Sequence, residues 1–194
     1  MIAENLAEVR ERISQATKKS GRDPDSVRLA VASKQVDIAH LEEARTAGAV
    51  IFGENKLQDA VPRVDQLGSE GNSWHFIGHL QKNKVKFLDE RFDLIHSVDS
   101  LELAEKIANQ CQSENRVQSV LLQINVSGET AKFGMEPGEL VDQMLAFSRL
   151  QGIRVEGLMT IPPYHYDSEN SRRHFARLRE LRSEEHTSEL QSQA

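Results

Sequence analysis

Apolar and polar positions alternate along the chain with two different periods. Ile2, Leu6, Val9, Ile13 and Ala16 recur at spacings of four and three, which predicts an amphipathic helix over residues 2–19, ended near Ser20-Gly21. Arg22-Asp23-Pro24 reads as a turn, and Val27–Lys34 then alternates at the period of a strand. Asp37 can cap the next helix, with Ile38, Leu41 and Ala44 on its buried side and Gly48 at its close. The cycle continues. Further strands are expected at 49–52, 73–78, 92–97, 117–126 and 153–161, with helices at 56–67, 81–88, 100–112, 136–150 and 168–181. Six strand–helix alternations with short links are the pattern of parallel βα units, and no repeat of fixed period lies beneath them.

Two α/β architectures accept that pattern: an open doubly wound sheet and a (β/α)8 barrel. The first strand–helix junction, Ser33–Asp37, contains no glycine, which counts against a dinucleotide-binding phosphate loop. A parallel strand covered on both faces should be almost wholly apolar. Here Gln123 and Asn125 share one phase of the fifth strand, and His75 and His79 share one phase in and just past the third. Polar side chains near the C-terminal ends of strands are where barrel proteins build their sites. The expectation is therefore an α/β fold of the (β/α)8 TIM-barrel type, with about six of its βα units present.

Composition narrows the class. The 194 residues, 38% hydrophobic and 28% charged, suit one sizeable core rather than two full domains. A net charge of −6 gives no electrostatic reason to expect nucleic acid or an anionic membrane, and Lys82, Lys84 and Lys86 read as a solvated helix face. Cys111 is the single cysteine, so no internal disulfide can form, which suits a cytoplasmic protein. No signal peptide and no apolar run long enough for a membrane span are read. The last stretch, RSEEHTSELQSQA, has only Leu190 and Ala194 as apolar residues. Arg182–Ser192 is similar to the translation of a sequencing-library adapter. The expected division is a partial barrel domain at 1–181 and a non-native tail at 182–194, with two βα units missing, exposed sheet edges and poor solubility.

Candidate chemistry collects at the strand ends. They are Lys34, Gly53-Glu54-Asn55, Gly78-His79-Leu80-Gln81, Asn125–Lys132 and Met159-Thr160. Lys34 is either a solvated strand-end lysine or an amine that can attack a carbonyl, with Ala30 and Ala32 leaving room on its face. Asn55 is a helix cap or a ligand contact, and Met159 is core filling or a cofactor contact. His75, between Trp74 and Phe76, reads as a core histidine, Gly134 as a positive-φ turn and Lys132 as solvated. There is no HExxH, no paired-cysteine spacing and no GxSxG, so neither a zinc site nor a nucleophilic hydrolase is indicated.

Taken together, LAVASK at 29–34, FGENKLQD at 52–59, WHFIGHLQKNK at 74–84, HSVDS at 96–100, QINVSGETAKFG at 123–134 and GLMTIPP at 157–163 resemble the YggS/PROSC family of pyridoxal-phosphate-binding proteins. The resemblance covers residues 1 to about 181. It implies a barrel like the N-terminal domain of alanine racemase, in the fold III class of pyridoxal-phosphate proteins. Lys34 would hold pyridoxal 5′-phosphate as a Schiff base, and Asn55, His79 and Met159 would line the pocket, with no catalytic residue and no metal. The family's late glycine- and serine-rich segment and its arginine near the pyridine ring have no counterpart here. The implied role is a non-catalytic, cytoplasmic regulator of vitamin B6 homeostasis, a monomer when intact. The alternatives are a PLP-dependent amino-acid racemase or decarboxylase, and a barrel binding another phosphorylated metabolite. A racemase would need a second acid–base group, and the two tyrosines, Tyr164 and Tyr166, sit in one loop.

Overall fold

The computed structural model describes residues 1–129, 131–163 and 168–192, with side chains in the last stretch described for 169–183. The chain divides into two compact units, Met1–Phe76 and Ile77–Ala194.

In the first unit α1 (Ile2–Lys19) precedes three strands and two helices: β1 (Ala30–Ala32), α2 (Ile38–Thr46), β2 (Ile51–Glu54), α3 (Leu57–Leu67) and β3 (Ser73–Phe76). The strands are parallel and pair in chain order, Ala32 opposite Gly53 and Gly53 opposite His75. Their core is Ile51, Phe52, Trp74 and Phe76, with the Phe52 and Trp74 rings 5.2 Å apart. Leu57, Ala60, Val64 and Leu67, spaced three and four apart, form the buried stripe of α3. Asp37 caps α2 by accepting from the His40 N–H at 2.9 Å. From α1, Arg10 donates to the carbonyls of Ala47 and Gly48 at 2.8 and 2.6 Å, satisfying the open end of α2.

The second unit contains β4 (Leu94–Val98), α4 (Leu101–Ser113), β5 (Gln118–Gln123), α5 (Pro137–Arg149), β6 (Ile153–Met159) and α6 (Ser168–Ser192). Its strands are also parallel, in the order β4-β5-β6. Leu103, Ala104, Ile107, Ala108 and Cys111 line the buried side of α4, over a core that includes Ile95, Val98, Val120 and Leu122. Ser100 caps α4 at the Leu103 N–H. At the start of β6, Gly152 has φ +86°, and a Cβ there would sit 2.4 Å from the Ala108 carbonyl oxygen, so only glycine allows α4 this close.

Strand and helix alternate as the pattern of apolar positions implies, with four departures beyond a shift of two residues at an element's end. The first strand spans Ala30–Ala32 rather than 27–34, because Lys34 belongs to a turn. Residues 82–87 form a 3-10 turn instead of an α-helix; Val85 is its single buried side chain, too little for an apolar stripe. The fifth strand stops at Gln123. Helix α6 runs past residue 181 to Ser192. Its sequence there lacks an apolar period, but six of the eleven residues at 182–192 are Glu, Arg, Leu or Gln, good helix formers.

Candidate functional site

The surroundings of Lys34 are built from its neighbour. Ser33 extends the β1–β2 ladder by one bond, its N–H donating to the Gly53 carbonyl at 2.9 Å. The Ser33 carbonyl accepts from the Val36 N–H at 3.2 Å, closing a turn over Ser33–Val36. Gln35, third in that turn, takes φ +60°, an uncommon sign for a residue with a side chain. Lys34, second in the turn, is exposed.

Behind the turn lies a buried charge. Glu54 ends β2 with its side chain only 1% exposed, a costly place for a carboxylate without partners. It has two. Arg63 Nη1 on α3 lies 3.0 Å from each carboxylate oxygen, and Ser33 Oγ lies 2.7 Å from Oε1 and 2.9 Å from the Gly53 carbonyl. Arg63 flanks the Ala60–Val64 stripe, so its stem packs along the helix while its head reaches the strand end.

Lys34, Gln35, Glu54, Asn55, Lys56, Asp59 and Arg63 line one open cleft of about 160 Å³. Three cationic side chains there face two carboxylates, one of which is engaged by Arg63. Among the described residues the Lys34 ammonium makes no hydrogen bond or ion pair, which leaves it available to a ligand. Asn55 is half-buried, and the N-cap of α3 is Lys56, so the capping role open to Asn55 in the sequence is not the one it plays.

The structure thus brings Lys34 and Asn55 to one cleft. His79 and Met159 belong to the second unit. His79 stacks on Phe133, ring centroids 3.7 Å apart and planes 12° from parallel, and its Nδ1 is 3.4 Å from Asp99. Burial pushes the Asp99 carboxyl above its ordinary range, against the pull of His79 and Lys82. Met159 ends β6 opposite Gln123, half-buried, its carbonyl accepting from the Ile124 N–H at 2.8 Å. Close by in sequence, Asn125 is 6% exposed. It donates to the Glu129 carbonyl at 3.0 Å and accepts from Ser127 Oγ at 3.0 Å. His75 is buried with Ser73 Oγ 3.1 Å from its Nε2, as a core histidine. Lys132 lies 3.3 Å from Glu129. Cys111 is buried, and burial raises its thiol. Among the described residues no group of three His, Cys, Asp or Glu could hold a metal ion, and no helix is long and apolar enough to cross a membrane. Tyr164 and Tyr166 lie outside the described residues.

Sequence reasoning missed Ser33, Glu54 and Arg63 as a unit. A signal was present in the run Ile51-Phe52-Gly53-Glu54: a carboxylate closing a buried strand requires a cation, and Arg63 flanks the buried stripe of the next helix.

Comparison with known proteins gives the family of the chain. The family model described as "Alanine racemase, N-terminal domain" matches residues 2–192. The pyridoxal phosphate homeostasis protein of Aquifex aeolicus is 41% identical over 181 residues, covering 93% of this chain and 79% of that protein. PipY of Synechococcus elongatus, solved with PLP bound, superposes with a TM-score of 0.82 at 32% identity, over 97% of this chain and 83% of its own. Alanine racemase from Clostridium difficile shares the fold at 14% identity, with a TM-score of 0.69 over 90% of this chain and 46% of the racemase. The βα barrel type expected from the strand pattern is therefore the fold, and the chain belongs to the alanine racemase N-terminal domain family, among its pyridoxal phosphate homeostasis proteins.

Proposed function

We propose that this protein binds pyridoxal 5′-phosphate through Lys34 and keeps the cellular supply of that cofactor steady without turning over a substrate. The observation that carries the reading is the Lys34 amine: exposed to an open cleft and without an ion-pair partner among the described residues. When bound, the cofactor supplies an aldehyde that a primary amine captures reversibly. The residues present fit such a group. Lys34 contributes the amine, and the solvent-open cleft lets water take the proton the ammonium must shed. Lys56 adds positive potential toward an anionic ligand, and Asn55 offers a neutral amide as donor and acceptor. We retain His79 and Met159 as cofactor contacts on the strength of the motifs WHFIGHLQ and GLMTIPP.

A carrier is favoured over a racemase or decarboxylase by the make-up of the cleft. Among the described residues that line it there is no histidine, tyrosine or cysteine, the motif-assigned His79 lying in the second unit, and Glu54 is engaged by Arg63 and Ser33. The compartment we assign is the cytoplasm, where a lone buried thiol such as Cys111 stays reduced. We assign a monomer, which sedimentation of the purified protein tests.

Titration of the protein with pyridoxal 5′-phosphate should produce a visible absorption band that borohydride abolishes. Incubation of the loaded protein with a panel of amino acids in D2O should leave their α-hydrogens unexchanged. A protein that stays colourless contradicts cofactor binding, and α-hydrogen exchange contradicts the carrier role in favour of an isomerase or decarboxylase.

A further inference from the structure

We infer that Glu54, acting through Ser33, is a positioning residue for the Lys34 amine. The inference rests on capture of the cofactor aldehyde by Lys34, in which the lysine nitrogen bonds to the aldehyde carbon and the carbonyl oxygen leaves as water with the amine's two protons. Every polar group of Ser33 is engaged. Its N–H goes to Gly53, its carbonyl takes the Val36 N–H, and its hydroxyl meets the Glu54 carboxylate at 2.7 Å. The residue just before Lys34 therefore has no freedom to shift along or out of the strand line. On the other side of Lys34, Gln35 sits at φ +60°, a conformation that persists in a non-glycine residue only where its surroundings over-determine it. The turn closed by the Ser33 carbonyl and the Val36 N–H supplies that constraint, and Arg63 holds in place the Glu54 carboxylate to which Ser33 is tied.

A purely architectural ion pair joining α3 to β2 would need only Glu54 and Arg63. The third partner, Ser33, carries the constraint across to the end of β1, where the turn bearing the lysine begins. Holding the backbone at Lys34 shortens the search of a long, flexible side chain, so more of the amine's time is spent where the aldehyde arrives. Lys56 lines the same cleft but lies outside this chain of contacts, and it serves as an internal reference.

The test is reductive labelling of the full chain with pyridoxal 5′-phosphate and borohydride, followed by peptide mass spectrometry, with the ratio of label on Lys34 to label on Lys56 as the readout. Wild type should carry its label on Lys34. Ser33→Ala, which removes the link but leaves every charge in place, should lower the ratio about tenfold, the effect of losing one charge-assisted hydrogen bond. The double variant Glu54→Leu/Arg63→Met replaces the ion pair with apolar groups of similar size, a change buried pairs tolerate, and it should fold and show the same fall. An unchanged ratio in both folded variants, with wild type labelled on Lys34, overturns the positioning role alone. A wild type labelled no more on Lys34 than on Lys56 overturns both this inference and the proposed function.

Discussion

Two strand ends in this protein carry polar machinery, and they are held by different physics. At the end of β2, in the first unit, the anchor is ionic: a buried Glu54 carboxylate gripped by Arg63 and linked to Ser33. At the end of β5, in the second unit, the anchors are neutral. Gln123 Nε2 donates to the Phe133 carbonyl at 3.1 Å, Asn125 spans Glu129 and Ser127, and Met135 exchanges backbone bonds with Gln123 and Asn125 at 2.9 Å. There the final constraint is steric. Gly134 has φ +127°, and a Cβ would sit 2.6 Å from the Asn125 nitrogen. The ionic end can be relaxed by removing both charges together, whereas the amide end offers no such compensating change. It fails wherever space or a single amide is lost.

The largest effect should fall on the neutral end. Gly134→Ala combines a forbidden backbone angle with a clash against main chain, and should cost about 4 kcal/mol or abolish folding, read by denaturant melts. Next, Glu54→Ala should cost about 3 kcal/mol because it strands Arg63, while Glu54→Leu/Arg63→Met should recover most of that loss. If the double variant is as unstable as the single one, the contrast between ionic and amide anchoring is wrong. Asn125→Ala should cost about 2 kcal/mol, the penalty of leaving buried polar partners unmet, with no apolar rescue available.

The smallest effect concerns pH. Burial holds the Asp99 carboxyl above its ordinary value of 3.8, so the folded state keeps that proton more tightly than the unfolded one. Its contribution to stability is full below 3.8 and fades as pH rises through the raised folded value. Asp99→Asn should therefore flatten the pH dependence of melting over that interval and leave the protein no less stable at neutral pH. A steeper acid dependence in the variant would contradict the assignment.

How much of this was legible in the sequence follows from the range over which each feature is encoded. Lys34 and Asn55 stand beside strand–helix junctions, and local periodicity placed both. The early end of β1 was not legible, because it depends on the Ser33 carbonyl turning to Val36 rather than continuing the ladder. The Glu54–Arg63 pair is separated by nine residues, and its formation depends on the rotation of α3 about its buried stripe. A binary apolar pattern does not encode that rotation. The contact between His79 and Phe133 spans still more chain and comes from tertiary packing alone. The need for glycine at 134 was visible as a turn, but its reason, a backbone with no room for a methyl group, was not.

The most direct measurement is a pyridoxal 5′-phosphate titration of Lys34→Ala followed by visible absorbance, beside the wild type. Wild type should give a saturable band and the variant none, both proteins melting alike without cofactor. A band of equal strength in Lys34→Ala would contradict cofactor binding through Lys34.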